Sequence, residues 1–296
     1  RRVGSLQMRI IKYFIILFLP IFITAQNTNI SFFPAVYYTQ GTYNSNKYSS
    51  GVSLYSTIGI NYYDYLTLGY DKTKLTSKYE FEYDQNLFVL GYTKSLFPLY
   101  LKANLAYQTA KYNYKPFDFN YNDNTNVYGI GLSYYFNNSY AGINYNYITL
   151  RGNKSVKVHQ PSISFIYLPS QYFDLSYKLV YSTLKSDLPV YEDFLMGDNT
   201  DDKRSLLSSI ITLNYYPSYS FYLKAEASFG KRAYYFNNDM LTFFNQDDTQ
   251  NFAFYSKLDY ELFTNFRTIL SYNYLSLDHS KIIYYSIGVK YNIWDL

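Results

Sequence analysis

Two histidines, no cysteine and a scatter of carboxylates are what this 296-residue chain offers for acid–base, nucleophilic or metal chemistry. His159 stands in Val158-His159-Gln160-Pro161-Ser162. A Ser–His relay needs the imidazole within hydrogen-bonding reach of the hydroxyl. On an extended strand that calls for a Ser two residues on, where the chain has Pro161, and Ser162 falls on the opposite face. His159 is therefore expected at a rim, and His279 as a solvated loop residue. The acidic run Asp198-Asn199-Thr200-Asp201-Asp202 lacks the D-x-[DN]-x-[DN]-G spacing of a calcium loop and reads as a solvated loop. A formal net charge of +4, with its cations spread along the chain, argues against nucleic acid. The expectation is a protein that is not an enzyme, with no catalytic residue, no metal and no cofactor.

What remains is a set of charged and amide side chains that recur at every second position. They are Asp71, Lys102, Asn104, Asn144, Asn146, Asp174, Lys178, Lys224, Glu226, Lys257, Asp259, Glu261, Arg267 and Lys290, with Arg232 on the same parity. Such a face could line a water-filled passage, where its charges orient solutes. It could also form an ion-pair lattice that braces a narrow interior, and both readings stay open. Tyr55, Tyr100, Tyr135, Tyr222, Tyr255 and Tyr284 share this parity. Their rings, with the amides, could stack on and hydrogen-bond to sugars, or could simply reflect how common Tyr is here.

The elements that must carry this face are strands. No sustained 3.6-residue period follows Gln26, whereas period-two alternation is widespread. Phe173, Leu175, Tyr177, Leu179 and Tyr181 oppose Asp174, Ser176, Lys178 and Val180; Phe221 to Phe229 and Ile283 to Ile293 repeat the pattern. Fourteen such segments can be read from residue 30 to residue 294, most of them long enough for a tilted membrane-spanning strand of about 9–11 residues. Short connections such as Phe97-Pro98 and Asn138-Ser139 alternate with long ones near 41–49, 76–83, 115–125, 186–204 and 236–250.

The composition agrees. With 42 Tyr and 23 Phe, aromatics make up 22% of the chain and charged residues only 16%. That excludes a disordered chain, and the missing Cys excludes a disulfide scaffold. Mean hydropathy is nevertheless −0.25. A chain rich in aromatics and still hydrophilic on average fits a barrel with a lipid-facing aromatic side and a polar interior. Tyr92, Tyr107, Tyr145, Tyr147, Tyr181, Tyr215, Tyr272, Tyr274 and Tyr291 share the apolar parity, as interfacial girdles would.

Met8-Arg9-Ile10-Ile11-Lys12, the apolar run Tyr13 to Ile23, and Thr24-Ala25 have the layout of a secretory signal peptide. Residues 1–25 are thus expected to be upstream residues and a cleaved signal, and residues 26–296 a single transmembrane barrel domain. With only a few residues between Gln26 and the first strand, no plug is expected ahead of it. Two long connections hold apolar patches, Phe194-Leu195-Met196 and Met240-Leu241-Thr242-Phe243-Phe244, which could fold over the mouth as a gate or bind a partner.

In these features the chain resembles Gram-negative outer-membrane β-barrel proteins, and in strand number and length small monomeric 14-stranded porins. Ser286-Ile287-Gly288-Val289-Lys290-Tyr291-Asn292-Ile293 resembles the C-terminal assembly signal of that class, with Ser286, Gly288, Tyr291 and Ile293 at its characteristic positions. The chain departs from it by continuing through Trp294-Asp295-Leu296. The resemblance implies an all-β, antiparallel up-and-down transmembrane β-barrel of about 14 strands in the outer membrane. Contacts with lipid, lipopolysaccharide and the barrel assembly machinery would follow. It also implies passive diffusion of small hydrophilic solutes. The rival expectation is a closed structural barrel that binds a protein partner through its outer loops.

Overall fold

The computed structural model describes residues 29–44, 47–60, 64–77, 81–114, 119–152, 155–187, 202–244 and 248–293. The signal segment, the 194–196 patch, the acidic run as far as Asp201, and Trp294 to Leu296 lie outside them.

Period-two alternation becomes strand throughout, and no helix occurs among the described residues. The first nine strands are β1 Ile30–Tyr43, β2 Lys47–Ile60, β3 Asp64–Ser77, β4 Phe81–Leu96, β5 Leu99–Tyr114, β6 Phe119–Phe136, β7 Ser139–Arg151, β8 Ser155–Ser170 and β9 Phe173–Asp187. Then come β10 Asp202–Ser218, β11 Phe221–Arg232, β12 Tyr235–Asn237, β13 Thr242–Phe244, β14 Gln250–Phe263, β15 Phe266–Leu277 and β16 Lys281–Tyr291. All except β12 and β13 form one closed antiparallel barrel of 14 strands. Each pairs with its sequence neighbour, β11 pairs with β14, and β1 closes on β16 from Ala35↔Lys290 to Tyr43↔Ile282. Closure leaves the wall with no unpaired sheet edge, which a strand must achieve before it can sit in lipid.

The short turns lie at the end that holds both barrel termini. Asn137 and Asn138 form a two-residue turn with φ of 42° and 57°. Asn tolerates that left-handed region, and the conformation matches the twist of a tight hairpin. At the opposite end the strands run further than their alternation suggests. Residues 119–125, expected within a loop, belong to β6 and pair with β5 from Asn113↔Asn120 to Gln108↔Thr125. Because every barrel strand has a partner on both sides, backbone pairing continues past the apolar belt even where Asn and Asp dominate. Stacked Tyr112 and Tyr121, with centroids 4.2 Å apart, support this extension.

The outward face is apolar. Leu54, Leu68, Phe88, Ile130, Ile143, Ile163, Leu213, Leu270 and Ile287 are exposed, Ile130 by 65%. Tyr65, Tyr134, Tyr167, Tyr215, Tyr260 and Tyr291 flank this belt towards the short turns, and Tyr38, Tyr48, Tyr107, Tyr145, Tyr181 and Tyr285 towards the other end. An uninterrupted apolar surface of this kind is stable only against hydrocarbon. Inward positions are mixed, polar over much of the wall with an apolar strip from β4 to β10, and glycine admits large rings there. A Cβ on Gly288 would lie 2.3 Å from Cδ1 of Tyr37. The glycine of the C-terminal motif thus makes room for an inward tyrosine of the first strand.

Candidate functional site: an inward-folded hairpin and a tyrosine-lined cavity

The chain leaves β11 through Gly230, whose φ of +93° strains any L side chain, and here the β11–β14 register shifts. Instead of continuing outward as a loop, residues 233–244 turn into the barrel. Strands β12 and β13 pair as Tyr235↔Phe244, Phe236↔Phe243 and Asn237↔Thr242. The tip is held by Asn237, whose Oδ1 accepts from the Asp239 and Met240 amides at 3.0 and 3.3 Å. The apolar patch Met240 to Phe244, expected over the mouth or against a partner, instead packs inside the wall.

The reason is a complementary strip on the inner wall. Leu87, Val89, Ala106, Val127, Ile148, Leu150, Val156, Val158, Leu184 and Leu206 all point inward and form one buried cluster with Ala233, Tyr234, Phe236, Leu241 and Phe243. Gln160 then acts as a surrogate strand partner: its Nε2 donates to the Phe236 carbonyl at 2.9 Å and its Oε1 accepts from the Phe236 amide at 3.2 Å. Asn146 Nδ2 reaches the same carbonyl at 3.4 Å, and Asn104 Nδ2 donates to Asn238 Oδ1 at 3.1 Å. At the tip, Asp239 receives Lys102 Nζ at 3.0 Å and a close contact from Lys178 Nζ.

The Lys178 ammonium, and then Lys102, hold the Asp239 carboxyl well below the usual carboxylate range against the opposing effect of burial. Asp239 still keeps 46% of its side-chain surface accessible, because the open part of the lumen runs beside it. The clamp is therefore weaker than a dry ion pair. Its sign follows from the lowered carboxyl: the stabilisation is complete above the ordinary carboxylate range and is lost as pH falls through the lowered native value. The hairpin should stay seated from neutral pH down to about pH 4. Asp239→Asn, which leaves two lysines facing each other, should loosen it at neutral pH. Cleavage of the aromatic-rich residues 233–244 by chymotrypsin at neutral pH and by pepsin below about pH 4, compared for both proteins, checks this.

On the other side of the hairpin lies a cavity of about 1010 Å³. It runs from Lys47, Asp248 and Ser280 at the long-loop end to Thr57, Thr67 and Lys257 past the middle of the barrel. Rings of Tyr37, Tyr43, Tyr55, Tyr83, Tyr255 and Tyr284 alternate along it with hydroxyls of β1, β2, β3 and β16. Deeper, an ion-pair group gathers. Arg267 Nε meets Asp259 Oδ1 at 2.5 Å, its Nη1 lies 3.6 Å from Glu261 and donates to the Tyr219 carbonyl at 2.7 Å. Lys257 stands 4.0 Å from Asp259, and Lys290 Nζ lies 5.2 Å from the Phe33 ring centroid.

Every residue expected on the charged or amide face lies on the inner side of the wall, but in different surroundings. Asp71, Lys224, Glu226 and Lys257 border the cavity. Asp259, Glu261, Arg267 and Lys290 form the deeper group. Asp174 is tied to Asn214 at 2.7 Å and Tyr216 at 3.1 Å. Lys102, Asn104, Asn146 and Lys178 hold the hairpin, and Asn144 packs over Gly131, whose Cβ would meet its Oδ1 at 2.2 Å. In the C-terminal motif, Ser286 and Gly288 face inward, Tyr291 faces outward, and Ile293 forms a bridge with Phe32. The sequence reading missed Gln160 and Asp239. Gln160 shares the inward parity of Val156 and Val158, which was the available signal; nothing local marks Asp239.

Neither histidine is hydrogen-bonded to a serine hydroxyl. His159 faces outward, with Nδ1 2.6 Å from the Tyr145 hydroxyl. His279 Nδ1 lies 3.0 Å from Asp248, and Ser280 Oγ donates to that same carboxylate at 3.3 Å, so it is not aimed at the imidazole.

A closed 14-strand wall with an apolar outer belt defines a transmembrane β-barrel. No known family and no curated protein matches the sequence. Among solved structures, the chain is similar to CymD, a monoaromatic hydrocarbon channel, with a TM-score of 0.56 at 8% identity over 90% of this chain and 88% of that one. It is similar to the ΔS2 mutant of the monoaromatic hydrocarbon channel TodX, with a TM-score of 0.53 at 9% identity over 90% of each chain. A FadL homologue of Pseudomonas aeruginosa gives 0.51 at 8% identity over 90% of each. At these identities the likeness is one of fold.

Proposed function

We propose that this protein is an outer-membrane channel for the passive diffusion of small hydrophilic solutes, narrowed by its own β12–β13 hairpin. The observation that carries this reading is the cavity of about 1010 Å³ that remains beside the hairpin, lined by hydroxyls, charges and tyrosines. A barrel built only as a scaffold has no need to keep open a space of this size, in which hydroxyls and charges stand among apolar side chains. Solved structures of the same fold include channels, which supports the reading. In this scheme the inward charges set ion preference, residues 1–25 are removed on export, and the C-terminal strand is presented to the barrel assembly machinery with lipopolysaccharide around the outer belt.

The seated hairpin and the deep ion pairs favour a second reading, a closed barrel that acts through its outer surface. Planar-bilayer recording of the purified protein separates the two. Discrete single-channel steps are expected, and their absence at every voltage would sink the channel reading. If the protein conducts, Lys257→Glu, which places a carboxylate beside Asp259, should move the reversal potential in a salt gradient towards cation preference. An unchanged potential would remove Lys257 from the conducting path.

A further inference from the structure

The acids and bases bordering the cavity do not balance at one point. Asp71 accepts from the Tyr55 hydroxyl at 2.6 Å. Glu226 is taken by Lys224 at 3.1 Å and Thr212 at 3.2 Å. Asp239 is taken by Lys102 and Lys178, and Asp248 by His279 and Ser280. Arg232 also borders the cavity and is 7% exposed. Its guanidinium carbon lies 4.4 Å from the Tyr235 ring centroid, and neither Nε nor Nη1 has a hydrogen-bond acceptor. A buried cation with unused donors is among the costliest arrangements a protein can hold, and a guanidinium is well suited to bind a carboxylate. The acid whose charge reaches it, Glu226, gives its hydrogen bonds to Lys224 and Thr212 instead. Gln250, opposite Arg232 in the β11–β14 register, donates to Ser228 Oγ at 3.1 Å. The Tyr235 ring supplies a flat apolar surface beside the charge.

Resting on the channel reading, we propose that the cavity is a binding site for small organic carboxylates, with Arg232 as the residue that receives the carboxylate group. The anion supplies the acceptor oxygens that the guanidinium lacks, and the tyrosine rings accommodate the body of the solute. Neutral molecules of the same shape leave Arg232 unsatisfied and bind more weakly.

Calorimetric titration of the detergent-purified barrel with benzoate and with its neutral analogue benzamide tests this. Benzoate should bind roughly tenfold to a hundredfold more tightly, the factor expected for a charge-assisted hydrogen bond. Arg232→Gln should erase the difference, Arg232→Lys should keep part of it, and the surface variant Lys74→Gln should keep all of it. Equal affinity of the unaltered protein for the two probes would overturn the proposal, whether or not the variants fold, and so would a preference that survives in folded Arg232→Gln. Bilayer recording of the same preparation keeps the two claims apart. Conductance without a benzoate preference removes the site and leaves the channel, whereas a benzoate preference without conductance removes the channel and leaves the site.

Discussion

Replacing residues 234–245 with a short Gly–Ser linker should raise single-channel conductance several-fold. The hairpin fills the half of the lumen faced by β4 to β10, so without it the passage widens from the cavity beside β1 to β3 to the full bore. The barrel should survive the change, because its 14 strands pair without β12 and β13. What holds the hairpin in place is a balance. Fully burying a side chain such as Phe236 or Leu241 contributes about 1.5–3 kcal/mol, and the Gln160 clamp adds two backbone-type bonds. Against this, seating leaves both amide atoms of Gln108, Thr125 Oγ1 and Asn146 Oδ1 without a hydrogen-bond partner. Each such atom costs about 1–3 kcal/mol when buried. Burial of the whole cluster outweighs these costs, so the hairpin rests in its seat and departures from it are brief. Gln160→Ala, which removes the clamp and adds no charge, should then produce brief excursions to the wide conductance level. An unaltered conductance in the linker variant would show that the hairpin does not limit flow.

The second large effect concerns the wall. Ile143→Arg should destabilise the folded barrel by about 2–4 kcal/mol, the cost of a cation facing the middle of the hydrocarbon layer. Ile143 is 59% exposed on the outer face, pairs with Ile163 on β8, and lies within the apolar belt. The neighbouring position gives the contrast. Asn144→Lys points into the lumen beside Gly131, where a long cation can reach water, so it should cost far less. Urea titrations of both variants refolded into lipid vesicles would check the pair. Equal destabilisation would contradict the alternation on which the inner and outer faces rest.

That alternation is why so much of the fold was legible in the sequence. A strand with a period of two has only two faces, and hydrocarbon on one side with water on the other sorts side chains more sharply than a soluble core does. Ile143 and Asn144 are adjacent in the chain and differ in the solvent they meet. The pairing of neighbours and the even strand number follow from the same logic, since short turns join antiparallel strands and an open edge cannot sit in lipid. Strand ends were less legible. Residues 119–125 look like a loop by composition, yet they pair with β5 because a closed wall offers a partner wherever the chain continues.

The amino-acid sequence alone determined that this is a membrane barrel, because its alternating pattern names the two solvents that each strand must face. The position of residues 233–244 was decided only by the tertiary structure. An apolar patch such as Met240 to Phe244 carries no address, and it could have met lipid, a partner or the mouth. It enters the lumen because β4 to β10 present a strip of Leu, Val and Ile at inward positions. Gln160, Lys102 and Lys178, which are scattered through the chain, converge on the hairpin once the wall has closed. The same closure gives Arg232 its importance. In the sequence it is one cation among 26, whereas in the fold two of its nitrogens are buried without an acceptor, and Glu226, whose charge reaches it, is hydrogen-bonded to Lys224 and Thr212.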